Sequence, residues 1–147
     1  MIYINNINDF ISKKKEYAEV CYKESLARFV PNRSADFENP WRPRTCIDPN
    51  TNTRQLDDDS AWGLIGDHLC NSNKSDWEVQ QPVNKNIHTK YHAFWSILSN
   101  KKDNKKDIYM KIQVTENMTI IVQEEEVISP RVFGISFHIT NIYRNIR

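Results

Sequence analysis

Hydrophobic and polar side chains alternate through the last third of the chain, and this alternation predicts an antiparallel sheet. The pattern is clearest from 107 to 114. Successive side chains of a strand point to opposite faces of its sheet, so one set can build a core while the other lies on a polar face. The hydrophobic set is Ile108, Met110, Ile112 and Val114, and the polar set is Tyr109, Lys111 and Gln113.

Four further segments have strand patterns, at 77–80, 89–98, 118–123 and 132–138. In the last segment we expect the hydrophobic side chains to face the core and the others to face the polar side. The expected core positions are Phe133, Ile135 and Phe137, and the expected polar-face positions are Gly134, Ser136 and His138. The result is a sheet of about five strands.

Helical periodicity appears in the first half of the chain. The segment from about Asn8 to Phe29 contains no Gly or Pro, and its apolar residues recur every three or four positions, which predicts one amphipathic helix. Asp57 to Asp59 supply N-cap candidates for a second helix that runs to about Cys70. We therefore predict an α+β fold in which two helices pack on one face of the antiparallel sheet.

The whole chain, 1–147, is expected to form a single domain, because 147 residues with 39% hydrophobic content suit one modest core. Within it, 1–57 holds the N-terminal helix and a proline-rich loop, which we expect Phe37 and Trp41 to anchor. The remainder, 58–147, holds the second helix and the sheet.

Composition narrows the functional classes. Only three glycines are present, so no glycine-rich phosphate loop can be drawn, and we expect no cofactor. The three widely spaced cysteines argue against a disulfide framework and a thiolate zinc site, which favours a reduced cytoplasm. No secretory signal and no membrane-spanning apolar run are recognised. The net charge of +1 is too small to indicate a class of partner, so partners can be inferred only from local charged patches.

The polar face of the sheet has the residue types needed to cleave RNA through its own 2′-hydroxyl. That reaction needs a base, a cation beside the phosphate and an acid for the leaving oxygen. The candidate catalytic residues are His138, Tyr109, Lys111 and His92, and the candidate substrate-binding residues are Lys90, Gln113 and Arg144. The competing interpretation is an ordinary solvated sheet face.

A metal site is disfavoured. His88 and His92 are four residues apart, but on a strand that spacing separates them by roughly 13 Å, too far for one ion. Any RNA cleavage is therefore expected to be metal-independent.

The segments Asp107-Ile-Tyr-Met-Lys-Ile-Gln-Val114 and Gly134-Ile-Ser-Phe-His138 resemble the end of the motility-quorum-sensing-regulator (MqsR) mRNA interferases, toxins similar in fold to the RelE superfamily. The resemblance covers about 60–140. It implies an endoribonuclease toxin with an RNA substrate and a cognate antitoxin. Tyr109 would match the family's catalytic-site tyrosine, and His138 would take the place of its closing lysine.

The chain departs from that family in an acidic stretch from Glu124 to Arg131. This stretch equally suits an immunity or antitoxin-like protein of a bacterium or phage that neutralises a toxin by direct contact. In that alternative, Glu124, Glu125 and Glu126 would bind the basic partner.

Overall fold

The computed structural model describes residues 2–23, 26–31, 41–82 and 90–140. Within these ranges the chain forms three α-helices and seven strands. The helices are α1 (Ile7–Ser12), α2 (Lys14–Tyr22) and α3 (Asp58–Asn71). The strands are β1 (Arg28–Phe29), β2 (Glu78–Gln80), β3 (Ala93–Leu98), β4 (Ile108–Val114), β5 (Met118–Val122), β6 (Glu125–Ser129) and β7 (Val132–Ile139).

Five of the strands form the main sheet, in the order β1-β7-β4-β3-β2, and β5 and β6 form a separate hairpin. The pairs within β2, β3, β4 and β7 are antiparallel, whereas the two-residue β1 lies parallel to β7. The predicted α+β class is confirmed. The main sheet is mixed rather than purely antiparallel because of β1.

A β-bulge divides the pairing of β4 with β7. Lys111 pairs with Ser136, but its neighbour Ile112 pairs with Gly134, so Ile135 is an extra residue. One extra residue moves each side chain on the far side of the bulge to the opposite face of the sheet. The prediction that Phe133 shares the core face with Phe137 is therefore wrong, since Phe133 pairs with Gln113 on the polar face.

Gly134 is correspondingly on the core face rather than the polar face. A Cβ at this position would lie 2.5 Å from the ring of Trp41, so only glycine allows the indole to approach the sheet so closely. Trp41 packs between Trp62 of α3 and Phe137 of β7, at ring distances of 5.2 and 5.8 Å. Trp41 thus anchors the loop as predicted, while Phe37 lies outside the described residues.

Aromatic rings also join the N-terminal helices to the sheet. Phe10 of α1 stacks on Phe94 of β3, with ring centroids 4.1 Å apart, and meets the edge of Trp77 at 5.0 Å. Phe10 and Phe94 are fully buried together with Tyr17 of α2. The helices therefore cover the face of the sheet that carries Met110, Ile112 and Phe137.

The single helix predicted from Asn8 to Phe29 is wrong in its extent. The helix is interrupted at Lys13, whose backbone leaves the helical region, and α2 ends at Tyr22. Phe29 is instead paired with Phe133 in the sheet. Strand pairing, a tertiary interaction, outweighs the local helix propensity here.

The start of α3 agrees with its sequence. The Asp57 carboxylate accepts a hydrogen bond of 2.8 Å from the backbone N–H of Ser60, as expected of an N-cap. Among the described residues, no helix has the length and apolar character needed to cross a bilayer.

The fold predicts a large cost for truncating Phe137. This side chain of β7 is fully buried and packs against Trp41. Phe137→Ala should therefore lower the free energy of unfolding by about 3 to 5 kcal/mol. Lys102→Ala, in an exposed turn, should change it by less than about 0.5 kcal/mol. Denaturant titration of both variants measures the difference, and similar values for the two would contradict this account of the core.

Candidate functional site

The cross-strand register brings the predicted polar residues together on one face of the sheet. Tyr109 pairs with His138, and Lys111 pairs with Ser136, across β4 and β7. On the other side of β4, Lys111 pairs with Trp95 of β3. Two of the candidate catalytic residues, Tyr109 and His138, are therefore direct neighbours.

Three rings form a column across this face. The Tyr109 ring lies between those of Trp95 and His138, with centroid distances of 5.4 and 5.1 Å. The planes of Tyr109 and His138 differ by 19°, so the rings are stacked. We call Trp95, Tyr109 and His138 the aromatic column. Stacked rings of this kind hold one another in a fixed orientation and offer faces on which a nucleobase can stack.

The hydrogen bonding of His138 defines its tautomer. Nδ1 lies 3.0 Å from the backbone oxygen of Ile139, and a carbonyl oxygen can only accept, so Nδ1 carries the proton. In the neutral ring the lone pair is then on Nε2, the nitrogen that would act as a base. The residue is only 6% exposed.

Lys111 is on the same face but points away from His138. Its Nζ donates a 2.9 Å hydrogen bond to Oε1 of Gln80, on β2. In the sheet β2 lies beyond β3, on the side of β4 opposite to β7. The amine and the imidazole therefore extend in opposite directions from neighbouring positions.

Ser136 lies beside these groups and was not assigned a role from the sequence. It is 1% exposed, and within the described ranges its hydroxyl oxygen has no hydrogen-bond partner. A buried hydroxyl without a partner costs free energy. Its register with Lys111 places it next to the aromatic column.

Gln113 lies at the other end of the same face and binds the protein itself. Its side-chain Nε2 donates to the backbone oxygen of Tyr91 at 3.3 Å, and the residue is buried. Tyr91 in turn stacks on Tyr3, with ring centroids 3.8 Å apart. Gln113 therefore ties the N-terminal segment to the sheet in this structure.

The remaining predicted residues are not beside His138. His92 lies just before β3 and contacts Gln81 Oε1 at 3.0 Å. It is five residues along the chain from Ile97, which pairs with Tyr109, so it is roughly 16 Å from the position of Tyr109 along the strands. Lys90 is exposed near His92, and Arg144 lies outside the described residues.

The three glutamates predicted to bind a partner lie at the tip of the hairpin. Glu124 occupies the turn, and Glu125 and Glu126 begin β6, all three exposed. Gln123 and Glu124 have φ values of 51° and 68°, the left-handed pair that a two-residue hairpin requires and that Asn and Gly usually occupy. The chain thus accepts backbone strain to place a glutamate there.

A serine and a histidine also meet on the opposite, core-side face. His68 Nε2 of α3 lies 2.7 Å from Ser96 Oγ, and that hydroxyl donates to the backbone oxygen of Asp76 at 2.6 Å. Because the hydroxyl has one hydrogen, it must accept from His68, so His68 does not act as its base. The residues are 28 positions apart, and no sequence spacing indicated this pair.

Other chemistry finds little support in the described part of the chain. No group of three or more His, Cys, Asp or Glu there is arranged to hold a metal ion. Burial raises the pKa of the Cys46 thiol to about 11 and also raises that of Cys21, so both thiols are protonated at neutral pH. Neither is an activated nucleophile.

No protein-family model, no curated protein and no solved structure matches this chain. The function must therefore be argued from the chemistry of the site itself.

The hydrogen-bonded pair of His68 and Ser96 predicts that stability depends on pH. Burial lowers the pKa of His68 in the folded protein, so below about pH 6.5 the unfolded chain takes up the proton more readily. The free energy of unfolding should fall between pH 7 and pH 5, with a contribution from this group of at most about 1.4 kcal/mol per pH unit. Denaturant titrations at each pH measure the slope.

His68→Gln is the matched variant for this prediction, because a glutamine amide can still donate to Ser96 but does not titrate. The slope between pH 7 and pH 5 should become shallower in this variant. An unchanged slope would assign the titration to another group.

Proposed function

We propose that this chain is an endoribonuclease toxin that cleaves RNA without a metal ion, in the cytoplasm, under the control of a cognate antitoxin. The observation that supports the proposal is the stack of His138 on Tyr109, with the imidazole oriented by the hydrogen bond from Nδ1 to the Ile139 backbone oxygen. The resemblance of both strands to the MqsR interferases agrees with it.

The proposed reaction begins at the 2′-hydroxyl. His138 Nε2 accepts the hydroxyl proton, and the 2′-oxygen attacks the adjacent phosphorus. The bond from phosphorus to the 5′-oxygen breaks, which leaves a 2′,3′-cyclic phosphate and a 5′-hydroxyl. The leaving oxygen takes a proton from the ammonium of Lys111, and the Tyr109 O–H donates a hydrogen bond to a phosphate oxygen.

This scheme requires two movements. Lys111 must exchange Gln80 for the phosphate, which its flexible four-carbon stem permits. His138 is nearly covered, so the groups over it must move aside before a phosphodiester can reach Nε2. Trp95, at the more open end of the aromatic column, is placed to stack on a neighbouring base.

The other residues that the sequence suggested for the site do not act at the reacting bond in this proposal. Lys90 is exposed and would contact RNA phosphates away from the reacting bond, as would Arg144. Gln113 holds Tyr91 in place, and His92 is too distant from His138 to share a proton with it.

Removal of the proposed base should abolish cleavage. His138→Ala should reduce the rate of RNA cleavage by about 100-fold or more, the usual contribution of a general base. Tyr109→Phe, which keeps the ring stack and loses only the hydroxyl, should reduce it less. Gel analysis of RNA incubated with purified protein in EDTA measures the rate, and expression of each variant tests relief of growth arrest.

His68→Gln is the control, because it replaces a histidine of α3 that contacts the opposite face of the sheet, and it should leave cleavage intact. Circular dichroism and melting curves should show that the variants are folded. Intact RNA and normal growth with soluble, folded wild-type protein would refute the nuclease proposal.

A second function, immunity against a protein toxin, is favoured by a different observation. The β5–β6 hairpin is outside the main sheet, carries exposed Ile121 and Ile128, and places three glutamates at its tip. An acidic, partly apolar projection suits the basic cleft of a nuclease. In this case the chain alone would be harmless.

Neutralising the hairpin tip tests this second function. Replacement of Glu124, Glu125 and Glu126 by Gln should slow association with the cognate toxin, most clearly at low salt, because long-range attraction acts mainly on the association rate. The melting temperature should change little, since all three side chains are exposed. Stopped-flow association at two salt concentrations gives the rates, and equal rates for variant and wild type would exclude the glutamates as the contact.

A further inference from the structure

The strand β6 has one edge paired with β5 and one edge without a strand partner in the described part of the chain. Val122 and Glu125 flank the two-residue turn and form a hydrogen-bonded pair, and such pairs alternate along a hairpin. On β6, Glu126 and Ile128 lie between the residues that belong to these hydrogen-bonded pairs. Their backbone N–H and C=O groups therefore point away from β5.

This free edge lines a groove of about 370 Å³ between the hairpin and α2. The residues of β6 and the following turn that line it are consecutive, from Val127 to Pro130, whereas β5 contributes only the alternate residues Ile120 and Val122. Successive side chains point to opposite faces, so a consecutive run lines a groove only where the backbone edge faces it.

The groove combines apolar side chains with negative charge. Its floor includes Val20, Ile120 and Val127, and the wall formed by α2 carries Glu16 and Glu19. Among the described residues that line it, Lys23 is the one cation. On the hairpin beside the groove, Glu125 shares a face with Val127, and Glu126 shares the other face with Ile128.

Two physical features favour an added strand here. A two-stranded hairpin is marginally stable in water and gains from a third strand. The side chain of Ile128 is 75% exposed on the free edge, which is an unfavourable position for an aliphatic residue in the isolated chain. A strand laid along this edge would cover Ile128 and satisfy the outward backbone groups.

We propose that the free edge of β6 binds an extended segment of a partner protein in which Lys or Arg alternates with aliphatic residues. The backbone of the segment pairs with Glu126 and Ile128. Its basic side chains lie on the hairpin face of Glu125 and Val127, towards Glu16 and Glu19 of the groove, and its aliphatic side chains lie on the opposite face, where they cover Ile128. This interaction does not depend on whether the chain cleaves RNA.

A proline exchange tests the backbone pairing. Ile128→Pro removes the outward N–H without a loss to the β5–β6 pairing, since proline is tolerated where an edge N–H faces outward. Ile121→Pro is the matched control: it removes the same residue type from the same hairpin face, but on the edge of β5. Melting curves should show that both variants stay folded.

The probe is a labelled seven-residue peptide of alternating lysine and valine, with an alternating glutamate and valine peptide as its charge control. Fluorescence anisotropy should show that wild type binds the lysine peptide and not the glutamate peptide. Ile128→Pro should weaken binding by about fivefold or more, the equivalent of one lost hydrogen bond, and Ile121→Pro should bind as wild type does.

A second pair of variants tests the charge independently of the hairpin backbone. Glu16→Gln with Glu19→Gln should weaken binding of the lysine peptide, and the difference should shrink at high salt. Both residues are exposed on α2, so the double variant should remain folded.

Three results would overturn the proposal. The first is equal weakening by Ile121→Pro and Ile128→Pro, and the second is no binding of the lysine peptide by folded wild type. The third is a dimer in sedimentation equilibrium that Ile128→Pro abolishes, which would assign the edge to a second copy of the chain. RNA cleavage by Ile128→Pro should equal that of wild type, so failure here is distinct from failure of the nuclease proposal.

Discussion

The bulged pairing of β4 with β7 is the constraint on which the rest of the structure depends. Ile135 is the extra residue, and it sets which side chains of β7 face the helices and which face the polar side. In this register, Gly134 lies on the core face, where Trp41 packs against it, and His138 lies on the polar face, where it stacks on Tyr109. A pairing without the bulge would put the Ile135 side chain opposite Ile112, where Trp41 now packs on Gly134, and the loop would lose its anchor.

The two faces of the sheet hold two histidines in different chemical situations. His68 donates to Ser96, whose own proton is engaged by a backbone oxygen, so this Ser–His pair stabilises the packing of α3 on β3. His138 donates through Nδ1 to the backbone oxygen of Ile139, so in the neutral ring Nε2 is the nitrogen without a proton. The direction of one hydrogen bond thus separates a structural histidine from a candidate base.

The aromatic column and the hairpin groove are separate surfaces. His138 lies near the end of β7, whereas the groove lies beside Pro130, just before β7 begins. Six residues of extended strand between Val132 and His138 span roughly 20 Å. Variants at one surface should therefore act independently of variants at the other. The proposed RNA cleavage and the proposed partner binding can therefore be tested separately in the same protein.

Much of the fold could be predicted from local pattern. The alternation along 107–114 predicted β4 with its correct facing, and the aspartates at 57–59 predicted the start of α3. These signals are local, since period and capping depend on residues a few positions apart. The same alternation placed Tyr109 and Lys111 on one face, and the structure agrees.

What the tertiary structure decided was everything that depends on residues distant in the chain. The bulge reversed Phe133 and Gly134, because a one-residue change in register leaves no mark on composition or periodicity. The pairing of β1 with β7 ended a helix that propensity alone would have continued to Phe29. His92 and His138 look equivalent in sequence, yet only His138 is aligned with Tyr109, because register is set by cross-strand packing. The sequence by itself determined which residues of β4 lie on the polar face, and the packing of β4 against β7 decided which residues of β7 meet them.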